Sequence, residues 1–187
     1  MLDADGLNAV ANDLYAIDHH EKRIVVTPHP REMARLLGLK SAAEVQSNRV
    51  KNAMVFAQRY DTIVALKGHQ TIVTDGERMF INSTGNPGMA TGGSGDVLTG
   101  VIAALMGQGL DGFDATRLGA YVHGLAGDMA AGRLGQISMT ATDIADSLAP
   151  AFQELTRTDF RFQEREEPEA PEGNETPAPD APRPATS

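Results

Sequence analysis

Cysteine is absent from this chain of 187 residues. Disulfides, thiolate catalysis and cysteine-rich metal sites are therefore excluded, and the composition fits a reducing compartment such as the cytoplasm. The chain also lacks a basic stripe with interleaved aromatic residues, which argues against a nucleic-acid surface. The first eight residues, MLDADGLN, carry neither a basic region nor an apolar signal segment, and no window is apolar enough to span a bilayer. We expect a cytoplasmic protein that binds neither nucleic acid nor membrane.

Hydrophobic residues make up 41% of the chain, enough for one sizeable core. The last segment differs, because it is rich in Pro, Glu and Ala and has no apolar periodicity. Residues 159–187 carry a net charge of −5, eight acidic against three basic residues, out of −9 for the whole chain. We expect one domain over residues 1–158 and a disordered acidic tail over residues 159–187.

The hydrophobic pattern predicts an α/β fold. Strands are expected near residues 23–27 and 62–66, and a hairpin around Asp75-Gly76. Helices are expected over residues 5–18, 30–37 and 42–60, with three more between the glycine-rich loop and Leu155. Ligands of such sheets bind at the carboxyl ends of strands, where Thr27, Lys67 and the loop 82–95 would all lie.

The loop over residues 86–96 is the most informative motif, reading NPGMATGGSGD directly before an apolar helical pattern. Small residues let the backbone approach a ligand, and the free N–H groups of a helix's first turn attract phosphate oxygens. Asp96 beside such a site can take a proton from an attacking hydroxyl, which points to phosphoryl transfer. The alternative is an ordinary glycine-rich loop with an acidic helix start.

Two further loops are expected at the same edge of the sheet. Lys67-Gly68-His69-Gln70-Thr71 lies between two strands, where its N–H groups and its charge can reach a nucleotide, or where it is a plain hairpin connection. His29 lies between two prolines after a buried strand, so it either faces the crevice or is merely exposed or packed.

Other polar residues have structural interpretations at least as good as functional ones. Asp5 is expected to cap the first helix, while Asp3 and Asn8 either shape the site or only start that helix. Arg49 is expected on a solvated helix face, with phosphate contact as the alternative. The small residues over 119–128 favour close helix packing, Thr140 and Asp143 form an acidic capping box, and four histidines are expected at the surface or in packing: His19, His20, His69 and His123.

Together these motifs resemble the ADP- or ATP-dependent NAD(P)H-hydrate dehydratase family. The resemblance runs from Leu2 to about Leu155 and is carried, in order, by DADGLN, TPHPREMARLLG, NRV, LKGHQT, NPGMATGGSGDVLTGVIAAL, LGAYVHGLAGD and SMTATDI. It implies a ribokinase-like layered α/β/α fold that is incomplete at its N-terminal side, since the family's domain starts further upstream. An unpaired sheet edge and an exposed apolar face are then expected.

The resemblance also implies site residues and chemistry. Asp96 would deprotonate the substrate hydroxyl and, with His29, contact a hydrated NADH or NADPH. Nucleotide binding would fall to Lys67, Gly68, His69, Gln70, Thr71, Gly92, Gly93, Ser94 and Gly95. Mg²⁺ is expected with the phosphates of ADP or ATP, without an assigned protein ligand, and a homotetramer is implied. The alternatives are a ribokinase-like kinase of a small alcohol or vitamin precursor, and an inactive nucleotide-binding fragment.

Overall fold

The structure, a computed structural model, describes residues 1–18 and 24–157. The expected acidic tail, as well as His19 and His20, lies outside these residues. Across the described ranges, no helix has the length and hydrophobicity that a bilayer crossing requires.

In the described ranges, four strands form one sheet in the order β1 (Val25–Val26), β2 (Ile63–Leu66), β3 (Ile72–Thr74) and β4 (Met79–Ile81). β1 and β2 are parallel, with Val25 opposite Ile63, and the other two neighbouring pairs are antiparallel. Leu2 adds a parallel bridge to Val26, so the N-terminal residues extend the sheet beyond β1. The predicted strands and the hairpin at Asp75-Gly76 are confirmed.

The structure describes eight α-helices. They are α1 (Ala4–Val10), α2 (Pro30–Leu36), α3 (Ala42–Ser47), α4 (Arg49–Tyr60), α5 (Ser94–Gly107), α6 (Gly112–Leu134), α7 (Ala141–Asp146) and α8 (Leu148–Arg157). Short 3₁₀ turns occur at Leu14–Ile17 and Pro87–Met89.

The helices enclose the sheet in three layers because successive strand residues point to opposite faces. Val26, Val64 and Leu66 pack into a core with α1 to α4, whereas Val25 and Ile63 pack into a second core with α5, α6 and α8. Burying each large apolar side chain contributes about 1.5–3 kcal/mol. The expected layered α/β/α architecture is confirmed.

Three expected helix boundaries are wrong. The first helix stops at Val10 and is followed by Asn12 and Asp13, residue types that favour turns over helix interiors. The expected helix over 42–60 is divided at Asn48, whose φ of −146° and ψ of 51° are not helical. Up to residue 157, where the described part of the chain ends, four helices instead of three follow the glycine-rich loop. α7 and α8 are separate because Pro150 fits the first turn of a helix and cannot continue one.

One edge of the sheet collects the loops of interest. Thr27 N–H donates to the Leu2 carbonyl, and Lys67 N–H donates to the Pro28 carbonyl at 2.9 Å. Asn82 N–H donates to the Thr71 carbonyl, also at 2.9 Å, so the glycine-rich loop leaves from this same edge. The exposed apolar residues of the sheet, Met79 and Ile81, belong to β4. This strand is the last of the sheet on the side away from β1 and Leu2.

Candidate active site

The glycine-rich loop runs into the first turn of α5. Gly93 is the residue before the helix and has a φ of +86°, a left-handed conformation that favours glycine. A Cβ atom at Gly92 would meet no protein atom within 4 Å, so protein packing alone does not require glycine there. The first N–H groups of this 14-residue helix have no intrahelical partners and can donate to an anion, while that of Ser94 also donates to the Thr91 carbonyl at 3.3 Å.

Asp96 lies in the first turn of α5 and is exposed. Within residues 1–18 and 24–157, its carboxylate accepts no hydrogen bond and forms no ion pair. A carboxylate that the protein leaves free at the positive end of a helix can accept a proton from a bound hydroxyl.

Lys67 reaches the first turn of α5. A Cβ atom added at Gly95 would lie 3.4 Å from Lys67 Nζ and 3.7 Å from Asp3 Oδ2. The structure therefore brings together the loop after β2 and the glycine-rich loop, which the sequence placed at one edge, and adds the N-terminal segment, for which the sequence left a role at the site open.

Asp3 holds this arrangement in place. Its Oδ1 lies 2.7 Å from Lys67 Nζ, and its Oδ2 accepts a hydrogen bond from Thr99 Oγ1 at 2.9 Å. Burial raises the pKa of Asp3, but the hydrogen bond and charge of Lys67, together with the hydroxyls of Thr99 and Thr27, outweigh it and leave the pKa below its ordinary value. Asp3, not Asp5, precedes α1, and its side chain does not cap that helix. The expectation that Asp5 is the cap is wrong.

Arg49 clamps the loop after β2. Its guanidinium donates to the carbonyl of His69, to that of Leu66 at 3.1 Å and to that of Lys67 at 3.4 Å. The expected solvated face is therefore wrong for Arg49. Because Asn48 interrupts the predicted long helix, Arg49 begins a new helix beside this loop.

The clamped loop itself is tightly folded. Gly68 has a φ of +137° and Gln70 a φ of +54°, and the Thr71 hydroxyl donates to the Gly68 carbonyl at 3.1 Å. The predicted tight turn at Gly68 is confirmed. His69 and Gln70 are exposed, so their side chains are accessible to a ligand.

His29 is the N-cap residue of α2 and forms a capping box with Glu32. Its Nδ1 accepts hydrogen bonds from the N–H groups of Arg31 and Glu32 at 3.1 Å each, and its own N–H donates to Glu32 Oε2. The Nδ1 atom is thus an acceptor, which leaves Nε2 as the protonated nitrogen of a neutral ring. The side chain remains 47% exposed, next to the Pro28–Lys67 connection.

His123 lies beneath the start of α5 and was not singled out as a site residue from the sequence. It is 7% exposed, and its Nε2 lies 3.4 Å from the Ser94 hydroxyl. Burial lowers the pKa of His123 to about 4, so the imidazole is neutral at physiological pH. The only signal in the sequence was its place among the small residues of α6, which bring α6 close to its neighbours.

α6 also holds the beginning of the glycine-rich loop. Asp128 accepts hydrogen bonds from Gly85 N–H at 2.8 Å and from Asn86 Nδ2 at 2.9 Å. A Cβ atom at Gly124 would lie 2.1 Å from the Thr84 hydroxyl, and one at Gly127 would lie 2.3 Å from Met89 Sδ. The predicted close packing is present, but at these two glycines the neighbour is the loop and not another helix.

Comparison with known proteins gives a consistent result. Residues 1–150 match the family model described as NAD(P)H-hydrate dehydratase. A bifunctional NAD(P)H-hydrate repair enzyme of Moorella thermoacetica is 49% identical over 83% of this chain and 29% of its own length. An ADP-dependent (S)-NAD(P)H-hydrate dehydratase of Neisseria meningitidis is 39% identical over 83% of this chain and 52% of its own length.

Solved structures show the same fold. The ADP/ATP-dependent NAD(P)H-hydrate dehydratase of Bacillus subtilis, co-crystallised with ATP and Mg²⁺, superposes with a TM-score of 0.69 and 25% identity, over 82% of this chain and 61% of that one. A ribokinase-like superfamily protein of Enterococcus faecalis superposes with a TM-score of 0.66 and 27% identity, over 81% of this chain and 51% of that one. The fold is thus ribokinase-like.

The chain spans about half or less of the length of these two relatives. Its matched residues include the whole glycine-rich loop, the loop after β2 and the N-terminal segment that carries Asp3. The chain belongs to the NAD(P)H-hydrate dehydratase family.

Proposed function

We propose that this chain catalyses the dehydration of the S-epimer of hydrated NADH or NADPH, with ADP or ATP as phosphoryl donor. The observation that carries the proposal is the free, exposed carboxylate of Asp96 in the first turn of α5, with the Lys67 ammonium against the same turn. One helix turn thus carries a free carboxylate and has an ammonium group against it, in a chain whose family is established.

The proposed chemistry turns a poor leaving group into a good one. Asp96 accepts the proton of the substrate hydroxyl while that oxygen attacks the terminal phosphorus of the nucleotide, and the bond from phosphorus to the nucleotide breaks. The phosphate then leaves one ring carbon, the adjacent carbon loses a proton, and the double bond of NAD(P)H forms. The elements of water are thus removed in three parts. The hydroxyl oxygen leaves within phosphate, the hydroxyl proton goes to Asp96, and the adjacent carbon releases the second proton.

The remaining site residues would bind and orient the two substrates. Backbone N–H groups at the start of α5 would hold the phosphates, from Gly92, Gly93, Ser94 and Gly95. The Arg49-clamped loop Lys67 to Thr71 would hold the adenylate, and the exposed ring of His29 would contact the hydrate. Support comes from the open space at Gly92 and from the exposure of His29, His69 and Asp96.

Mg²⁺ would accompany the nucleotide. The described part of the chain holds no group of three His, Cys, Asp or Glu side chains able to bind a metal alone. We therefore propose a magnesium ion that is bound mainly by nucleotide phosphates and water, without a cage of protein ligands. When bound, Mg²⁺ would neutralise charge that develops on the phosphates. The proposal also includes a cytoplasmic location, which the cysteine-free composition fits, and a homotetramer, which the family resemblance implies.

The test is recovery of reduced-nicotinamide absorbance from hydrated NADH by the purified chain, with ADP, ATP or no nucleotide. We expect recovery only with a nucleotide, and one phosphate released for each NADH formed. Small alcohols are tested in parallel as phosphoryl acceptors. Nucleotide consumption with an alcohol but not with the hydrate, or no recovery by folded protein, contradicts the proposal. The first result favours the kinase and the second the inactive nucleotide-binding fragment.

A further inference from the structure

The ion pair between Asp3 and Lys67 lies at the proposed phosphate site. The two residues are 64 positions apart, and their side chains are 10% and 21% exposed. An exposed pair of this kind contributes little, because two flexible side chains must be ordered in water. Here the pair is largely shielded, so its geometry is better defined than that of a surface pair.

The carboxylate of Asp3 is fixed at both oxygens. Oδ1 accepts from Lys67 Nζ at 2.7 Å, and Oδ2 accepts from Thr99 Oγ1 at 2.9 Å. Thr99 belongs to α5, one turn beyond Gly95, so the two residues share a face of that helix. Asp3 therefore connects the N-terminal segment both to Lys67 and to the helix that begins the phosphate site.

This connection aims the lysine at the start of the helix. The position that a Cβ of Gly95 would take is 3.4 Å from Lys67 Nζ, so the ammonium lies against the first turn of α5. A free lysine side chain has about 2 kcal/mol of rotamer entropy to lose when it binds a ligand. Fixing Lys67 beforehand removes part of that cost from the binding step.

We infer that Asp3 is a positioning residue for the phosphoryl donor, acting by holding the Lys67 ammonium against the first turn of α5. The inference rests on the proposed function for the identity of the ligand. The direction in which nucleotide affinity changes when Asp3 is replaced distinguishes positioning from a plain charge effect. By charge alone, removing a carboxylate near a phosphate site strengthens anion binding, whereas removing the residue that positions Lys67 weakens it.

The experiment is titration calorimetry with ADP and with ATP, each with Mg²⁺, on the whole chain. We expect Asp3→Asn to weaken nucleotide binding about 5- to 10-fold, which corresponds to about 1–1.4 kcal/mol. In a Lys67→Met background the same substitution should change affinity less than twofold, because the lysine it positions is gone. Asp5→Asn is the matched control. It removes an exposed carboxylate two residues away and should leave binding unchanged.

Thr99→Val provides a second route if Asp3→Asn folds poorly. It keeps the ion pair but frees Oδ2, and we expect a two- to threefold loss of affinity that is also absent in the Lys67→Met background. Binding by Asp3→Asn as tight as or tighter than wild type overturns the inference, and so does an equal loss in both backgrounds. So does a wild-type chain that binds neither nucleotide.

The calorimetry contains no hydrated NADH, so its outcome is separate from that of the proposed reaction. Coupling between Asp3 and Lys67 in a chain without dehydration activity would contradict the proposed function and leave the positioning role standing. Dehydration by wild type with no such coupling would do the reverse. In an active chain, Asp3→Asn should raise KM for the nucleotide and leave kcat nearly unchanged.

Discussion

Acid should destabilise this protein through His123, which is buried under the N-terminal turn of α5. Burial lowers its pKa from an ordinary value of 6.5 to about 4 in the folded chain. Between these values the unfolded chain binds a proton more readily than the folded chain. The stability associated with the neutral ring is therefore complete above pH 6.5 and is lost as the pH falls toward 4.

The size of the effect follows from the two pKa values. Going from neutral pH to about pH 5 should cost about 2 kcal/mol of unfolding free energy, and the full difference below both values is about 3 kcal/mol. Urea unfolding followed by circular dichroism at several pH values measures this loss. His123→Gln cannot titrate, so its free energy of unfolding should fall about 2 kcal/mol less over the same range.

Other groups titrate in both proteins, so the difference between them isolates His123. His69→Gln is the matched control, since it removes an exposed histidine and should keep the wild-type dependence on pH. Equal pH dependence in wild type and His123→Gln would refute the reasoning, because the ring would then not be buried in its neutral form.

Three further substitutions have expected outcomes. Gly93→Ala should lower the free energy of unfolding by about 1–2 kcal/mol and weaken ADP binding, because φ is +86° and the new Cβ would lie 3.1 Å from that of Ala141. Thermal unfolding measures the first effect, and an unchanged melting curve would contradict it. Arg49→Lys should weaken ADP binding about 10-fold, since one ammonium cannot replace a forked clamp on three carbonyls; Lys51→Ala, on the same helix, is its control. Asp128→Asn should lower the free energy of unfolding by about 1–3 kcal/mol. Its NH₂ group would replace one acceptor oxygen and face a donor, either Gly85 N–H or Asn86 Nδ2, so one hydrogen bond would be lost. Equal stability to wild type would argue against this role.

The sequence was sufficient for the architecture because its local signals agree with the fold. The strand at Ile63–Leu66 is continuously apolar, and the hairpin around Gly76 uses a positive φ of +91°. Glycines before an apolar helical pattern predicted that a helix begins in this region, but they did not identify Ser94 as its first residue. The edge of the sheet where the loops meet was predicted from the alternation of strands and helices, and the parallel pairing of β1 and β2 agrees with that prediction.

The contacts that support the site could not be predicted because they join distant segments. Asp3 meets Lys67 and Thr99 only once the sheet has formed, and nothing near Asp3 in the chain distinguishes this from a helix start. His123 reaches Ser94 across 29 residues. Arg49 became a clamp because Asn48 breaks the helix, a boundary that apolar spacing does not reveal. The roles of Asp96 and His29 remain predictions.

The central claim is that Asp96 is the base of a nucleotide-dependent dehydration, and the Asp96→Asn variant tests it most directly. Dehydration of hydrated NADH and the affinity for ADP and ATP are measured on the same preparations. The account predicts a loss of turnover of about 100-fold or more. It also predicts nucleotide binding equal to or slightly tighter than wild type, since a negative charge beside the phosphates is removed. Turnover close to that of wild type would contradict the account.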